Sequence, residues 1–445
     1  MRGKIGLAKG SLLTFFSNIL IFILSLIVSI IIARTLGPTN KGIYVLIMLF
    51  PTLFMKLGTV GVEAANVYFS GNRKYSIAEI SNDSIFLGLV IGVILIPLFG
   101  IISHLEFFQK FIYNKGINLL YIWLAMFRLP LSLISLFHHS ILVGREKILQ
   151  FNGLNIFRVI LDIVLVPLFL FVFKLSILGL IFWGIITTIV MCSLKIYFVN
   201  KLKQNKRFSL NIALLRESLK YGIKAHLGNI AQFLNYRLDM FLVAYFLAVK
   251  ELGYYSLAVG LAEKLWMIPG AITTVLFPRI SSLSSDEANN LTPKVARITL
   301  FTVSSSAIIL LFLSRYLIKF FYGVAYLPSV KPFTILLPGI VALSVCKIIT
   351  ADLAGRGRPE FGTFAAYISL GANLPLNLLL IPKWGISGAA FSSTISYVLA
   401  TLVVFCIFLK VSGNSLVSIV LLKRKDIEKF FLPILRKIRL MLKIN

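Results

Sequence analysis

Apolar runs of about 20 residues recur along the whole chain, separated by short polar breaks, and each matches the thickness of a bilayer core. They predict about twelve membrane-spanning helices. The spans fall at 11–34, 42–69, 84–104, 117–143, 151–173, 177–199, 218–247, 251–282, 296–321, 330–354, 360–382 and 385–410. Spans two and eight are longer than a bilayer requires, which predicts tilt or projection from the membrane. The least defined boundary lies between spans nine and ten, around Tyr322–Lys331. The fold class expected is an all-α polytopic membrane protein.

Composition narrows this further. With 58% hydrophobic and 14% charged residues, the chain could not give a globule a water-facing surface. The largest polar break, around Lys201–Arg207, is too short to be a soluble domain. Arg2, Lys4 and Lys9 precede the run from Leu12 to Ala33, which is too long for a signal-peptide core and ends without a small-residue cleavage site, so it reads as a retained first span. A formal charge of +29 would suit nucleic acid if it covered one folded face. Here it interrupts apolar runs instead, and no nucleic-acid partner is expected. Cys192, Cys346 and Cys406 lie within or beside apolar runs with no metal or redox spacing, and read as packing residues. The chain carries no Walker loop, and the reading includes no metal or other cofactor.

Lys and Arg are distributed unevenly between alternate loops. One set includes Arg73-Lys74, Arg145 with Lys147, the stretch Lys195–Lys224, Arg279–Arg297, Arg356 with Arg358 and the tail from Lys410. The other set, which includes Arg34, Lys41, Lys110, Lys115, Lys174, Lys250, Lys331 and Lys383, is roughly threefold poorer, so the positive-inside rule places both termini in the cytoplasm. The domain reading is an N-terminal six-helix lobe (1–200), a basic cytoplasmic linker (201–217), a C-terminal six-helix lobe (218–410) and a basic amphipathic tail (411–445). The tail is too short and charged to span, and suits an interfacial helix on anionic lipid.

The two halves overlay at an offset of 211 residues. Asn18, Ile19 and Phe22 fall on Asn229, Ile230 and Phe233; Leu36, Gly42, Tyr44 and Leu46 fall on Leu247, Gly253, Tyr255 and Leu257; Gly144-Arg145 falls on Gly355-Arg356. After a two-residue slip Lys174 and Gly179 fall on Lys383 and Gly388. Copies of about six spans start on the same side, so this is a parallel duplication. Transporters built this way hold substrate between their lobes and rock them for alternating access.

Buried charge points the same way, because an ionised side chain at the bilayer centre costs about 2.5–3.5 kcal/mol on insertion scales. Lys56, Thr59, Glu63 and Asn66 in span two are spaced to share one helix face. Asn155, Arg158 and Asp162 form a similar stripe in span five. Span seven carries Asn229, Gln232, Arg237 and Asp239; span eight carries Glu263 and Lys264 before Pro269-Gly270. Asn18 adds a further polar group in span one, and with Arg128 and Lys347 the deep cations number more than the deep acids and come from both halves. A cationic, water-filled cavity suits an anionic substrate, and Arg matches phosphate oxygens bidentately. The bland reading stays open beside this one: Arg158 and Asp162 are at i,i+4 and would neutralise each other. Glu63, Asp162, Asp239 and Glu263 are candidates for binding a coupling H⁺ or Na⁺. His138-His139 reads as an interfacial pair.

Four stretches carry a family resemblance. Ala33-Arg34-Thr35-Leu36-Gly37-Pro38 with Gly42-Ile43-Tyr44 resembles the first-loop signature of Wzx-type polysaccharide flippases. Asn235-Tyr236-Arg237-Leu238-Asp239 with Glu251-Leu252-Gly253-Tyr254-Tyr255-Ser256 resembles their seventh-span region, and Leu276-Phe277-Pro278-Arg279-Ile280-Ser281 and Leu353-Ala354-Gly355-Arg356-Gly357-Arg358-Pro359 complete the likeness. The resemblance implies the superfamily that also holds the multidrug and toxin extrusion transporters, with two six-helix lobes around a central cavity. It implies translocation of an undecaprenyl-diphosphate-linked oligosaccharide across the bacterial cytoplasmic membrane, with a polysaccharide polymerase as a candidate user of the product. The diphosphate would sit on Arg237, Lys264 and Lys56, with Arg128, Arg158 and Lys347 as further lining. Lipid II flippases look similar but typically carry two extra C-terminal spans where this chain has the amphipathic tail. A drug extruder for cations would have an acidic cavity, and a membrane-bound polymerase or ligase a sizeable external loop. Neither feature is visible.

Overall fold

The computed structural model describes residues 7–203, 209–423 and 426, and its elements are helices throughout. In chain order they are α1 (Leu7–Gly58), α2 (Val62–Asn72), α3 (Ile77–His104), α4 (Glu106–Asn114), α5 (Leu119–Phe127), α6 (Leu129–Gly144), α7 (Ile148–Pro167), α8 (Ser176–Asn200), α9 (Ile212–Phe246), α10 (Val249–Ala262), α11 (Met267–Ser281), α12 (Ser285–Tyr322), α13 (Val330–Gly355), α14 (Glu360–Ser412) and α15 (Leu416–Val420). Nine helices among the described residues are long and apolar enough to cross a membrane. The terminal segment before residue 7 and most of the predicted amphipathic tail lie outside the described residues.

Several elements are interrupted where the sequence demands it. A straight helix of 52 residues would reach about 78 Å, well beyond a hydrocarbon core of about 30 Å. Within α1, Gly37 takes φ 68° immediately before Pro38, and the element is two helices joined there. The same holds for α14 at Gly385, φ 59°, three residues after Pro382. Three further interruptions fall inside predicted spans. Span two is cut at Thr59–Gly61, span four at Arg128, and span eight by a 3₁₀ turn at Glu263–Trp266. Each break coincides with ionisable or polar side chains. The poorly defined stretch between spans nine and ten contains a 3₁₀ turn, Val324–Ser329. The short α4 was not foreseen. It buries Phe108 and Ile112 and exposes Phe107 and Tyr113.

The chain forms two compact units, Met1–Leu257 with Leu317–Ser329, and Ala258–Tyr316 with Val330–Asn445. In the first unit, α1 and α10 cross with their backbones in contact. A Cβ on Gly42 would collide with the Val249 carbonyl oxygen, and one on Gly253 with the Pro38 carbonyl oxygen. The contact is reciprocal between positions that the offset of 211 equates, Pro38 with Val249 and Gly42 with Gly253. Beside it, Tyr326 donates to the Ala33 carbonyl at 3.0 Å and the Lys41 ammonium lies 5.3 Å from the Tyr326 ring centre. In the second unit α13 packs along α14 and α11. The Thr394 hydroxyl donates to the Ile335 carbonyl at 2.7 Å, and Gly339 and Gly355 sit against Thr394 and Ile280. Buried Asp352 accepts from Thr292 at 2.5 Å and from Arg356 at 2.6 Å, holding α12 to α13.

Candidate charged sites in the membrane-spanning helices

In the first unit, Arg128 occupies the junction of α5 and α6. Its guanidinium donates towards the Met48 sulfur at 3.4 Å, and Gly184 on α8 leaves the room it needs, since any Cβ there would clash with Nη1. Arg158 on α7 lies within electrostatic range of Arg128 and of Lys195 on α8. Lys195 donates to the Ser135 hydroxyl at 3.0 Å. Asp162 accepts from the Trp183 indole N–H at 2.8 Å. Arg158 and Asp162 feel each other's charge but make no ion pair within 4 Å, so the i,i+4 neutralisation left open by the sequence is incomplete. The sequence places Lys195 near the end of span six and counts it with the cytoplasmic cations; the structure sets it within α8. Its place one turn before the end of an apolar helix was the available signal.

A second group in this unit surrounds the break in span two. The Lys56 ammonium and the Glu63 carboxylate face each other across it at 3.3 Å. The break prevents one continuous polar stripe. Thr59 turns instead to His226 on α9, with Oγ1 and Nδ1 3.2 Å apart. Asn66 is consumed in packing, donating to the Ser84 hydroxyl at 2.8 Å and to the Phe137 carbonyl at 3.2 Å. His226 escaped the sequence reading because a lone histidine near a basic stretch carries no spacing signal.

Along α9, buried Asp239 accepts from the Tyr255 hydroxyl at 2.5 Å and from the Met240 N–H at 2.7 Å. Tyr255 belongs to the Gly-Tyr-Tyr stretch of α10, so this bond ties two of the resemblance-bearing segments together. Arg237 donates to the Tyr236 carbonyl at 2.9 Å, and exposed Gln232 donates to the Tyr236 hydroxyl at 3.1 Å. Asn18 and Asn229 are half-buried. His138 is fully buried within the protein, 3.0 Å from the Ser81 hydroxyl and 2.9 Å from the Ile134 carbonyl, because packing against α3 encloses that turn of α6.

In the second unit the 3₁₀ turn presents Glu263, Lys264 and Trp266. Mid-helix turns of this kind leave the regular ladder and re-aim side chains. Lys264 and Lys347 both lie within electrostatic range of Glu263. The Lys347 ammonium stands 4.6 Å from the Trp266 ring centre, a cation–π arrangement, and Trp266 meets Tyr397 with ring centres 6.0 Å apart.

Two further charge pairs are structural. Lys74 and Glu217 form an exposed pair at 2.6 Å, and each hydrogen bond favours the charged form of its partner. Asp426 receives a two-pronged contact from Arg297, with Nε and Nη2 both donating and Nη2–Oδ1 at 3.1 Å. That guanidinium holds the Asp426 carboxyl below its ordinary range.

Long apolar helices, backbone breaks within them and ionisable groups gathered at those breaks define a membrane transport protein. A family profile described as polysaccharide biosynthesis protein matches residues 31–331, and the chain belongs to that family. It is a Wzx-type flippase of the multidrug, oligosaccharidyl-lipid and polysaccharide exporter superfamily. A Shigella flexneri protein named as an O-antigen transporter is 24% identical over 83% of this chain and 90% of its own length. A Haloferax volcanii protein named as the flippase AglR is 23% identical over 89% of this chain and 82% of its own length. Among solved structures, the lipid II flippase MurJ in an inward closed conformation superimposes with TM-score 0.72 at 20% identity, covering 92% of this chain and 90% of that one. An inward-facing multidrug resistance transporter of the same superfamily gives TM-score 0.70 at 15% identity, covering 88% and 95%. These relatives and neighbours are flippases and transporters, not enzymes.

Proposed function

We propose that the protein translocates an undecaprenyl-diphosphate-linked oligosaccharide repeat unit across a bacterial cytoplasmic membrane by alternating access, for surface polysaccharide assembly. The observation that carries this reading is the cationic excess within the spans. Lys56, Arg128, Arg158, Arg237, Lys264 and Lys347, joined by Lys195, outnumber Glu63, Asp162, Asp239 and Glu263. Two of those acids already accept hydrogen bonds from Tyr255 and Trp183. A lipid-linked diphosphate supplies the missing negative charge, and Arg128, Arg158 and Arg237 suit its oxygens. Names borne by the relatives, O-antigen transporter and glycan flippase, support the same substrate class.

The architecture we infer is twelve crossings in two six-helix repeats, 1–200 and 218–410, with both termini cytoplasmic. The kinks at Gly37 and Gly385 and the reciprocal Gly42–Gly253 contact support it. A polysaccharide polymerase is the partner that would take the product, and H⁺ or Na⁺ the candidate coupling ion.

Glycan export in a strain lacking its own flippase tests the function. Wild type restores surface glycan. Arg237→Ala and Lys264→Ala, at matched membrane expression, lower export about 10–100-fold if each removes a charge-assisted contact of about 1.5–3 kcal/mol. Full export by both variants overturns the site assignment. Failure of wild type across several glycan backgrounds overturns the substrate class.

A further inference from the structure

The break in span two has chemistry that diphosphate binding alone does not use. Val60 takes φ 41° and Gly61 φ 74°, so the chain leaves helical geometry inside a predicted span, and a β-branched residue is held left-handed. Gly222 of α9 packs directly on this break. A Cβ on Gly61 would collide with the Gly222 carbonyl, and one on Gly222 would lie 2.6 Å from the Gly61 carbonyl carbon. One helical turn further along α9 stands His226, only 4% exposed. Its Nδ1 is 3.2 Å from the Thr59 hydroxyl, which itself donates to the Lys56 carbonyl at 3.0 Å. The Leu57 carbonyl also accepts a hydrogen bond from the ring, so the imidazole is held by Thr59 and by the backbone of α1 together. Among the described residues, Lys56 and Glu63 lie within electrostatic range of the ring. Glu79 and Asp83, on the α3 face of the same unit, are turned to Asn211 instead.

We propose that His226 is a proton-binding site whose occupancy is coupled to Lys56 through the carboxylate of Glu63. Two cations, the Lys56 ammonium and the His226 imidazolium, have one acid between them. An anion that draws Lys56 away leaves Glu63 to stabilise the imidazolium. Protonation of His226 in turn competes for Glu63 and makes Lys56 available to an anion. The coupling is reciprocal: an anion on Lys56 raises proton affinity at the imidazole by the factor that the proton raises anion affinity. The proton comes from bulk water and returns to it, and no other bond changes. The link to transport rests on the proposed function, in which Lys56 contacts the diphosphate. The proton site itself does not.

Histidine-selective NMR of the full-length protein in lipid nanodiscs tests both parts. The chain has four histidines, and His226→Gln identifies the resonance of interest. Without any anion, the His226 signal titrates in wild type. Glu63→Gln lowers its midpoint by about one pH unit and Lys56→Met raises it by about as much, in keeping with the loss of one facing charge. An unmoved midpoint in both variants overturns the shared carboxylate. A signal that does not titrate between pH 5 and 9 overturns the proton site. Farnesyl diphosphate is then added as the anion probe. A raised midpoint in wild type, absent in Lys56→Met, supports the coupling. Probe binding that leaves the midpoint unchanged overturns the coupling. Absence of probe binding overturns the diphosphate assignment of Lys56, and the coupling with it, and leaves the proton site standing on the first titration.

Discussion

Gly61 is the residue at which the sequence had least freedom. It combines a positive φ with backbone contact against Gly222, so any side chain there is both strained and obstructed. Gly61→Ala is expected to lower stability by about 1–3 kcal/mol, read as a fall in the detergent-solubilised melting temperature. Gly153→Ala in α7 is the matched comparison. Its Cβ would meet open space in a regular helix, and the melting temperature is expected to hold or rise slightly. The seven-residue spacing drew attention to Lys56 and Glu63, but they meet at 3.3 Å across a break in the helix, so the turn and not a continuous helix face brings them together. The roles of Thr59 and Asn66 were not legible from spacing. Once the chain departs from helical φ and ψ at Val60, periodicity no longer dictates direction. Tertiary neighbours then decide, His226 for Thr59 and Ser84 for Asn66.

Among the elements, the end of the described chain is held by a buried clasp. Arg297 on α12 donates to both Asp426 oxygens and to the Ser418 carbonyl, while Asn414 donates to the Asn289 carbonyl at 2.9 Å. Breaking a buried pair by removing one partner costs about 3–5 kcal/mol locally. Asp426→Asn is therefore expected to speed proteolytic cleavage after Lys423, while the helices of the span region keep their protection. The pH dependence has a definite sign. Arg297 holds the Asp426 carboxyl below its unfolded value, so the clasp is at full strength above about pH 4 and weakens as pH falls through the lower folded value. Cleavage rates corrected for protease activity should be level from pH 8 to 5 and rise only in stronger acid. The sequence predicted a basic amphipathic segment here from its composition. It gave no sign that one acid would be its anchor, since the contact joins positions 129 residues apart.

At the scale of the molecule, the uneven distribution of Lys and Arg makes a topology that can be measured. In a background where exposed Cys406 is replaced by Ser, a membrane-impermeant thiol reagent added to intact cells should label Lys174→Cys and Lys383→Cys. Lys201→Cys and Arg358→Cys should label only after the membrane is opened. Labelling of either cytoplasmic position from outside would reverse the orientation inferred from charge. The reciprocal contact of Gly42 with Val249 and Gly253 with Pro38 belongs to the same scale. These positions are the ones that the offset of 211 equates, and a reciprocal meeting is what a local two-fold relation between the repeats we infer would produce.

The sequence by itself determined that this chain lives in a bilayer and is helical there, since no other use of so many apolar runs satisfies the backbone. It also determined the flippase family, through short motifs at fixed offsets, and the excess of cations within the spans. Those are properties of composition and local order. Only the tertiary structure decided where the helices break, that Asp239 is bound by Tyr255 and Asp162 by Trp183, that Lys195 reaches Ser135 and that His226 stands against Thr59. The physical reason is common to all of these. In a low-dielectric interior an ionisable side chain takes its role from the nearest polar group, and for Asp239, Asp162, Lys195 and His226 a partner that decides it stands on another helix.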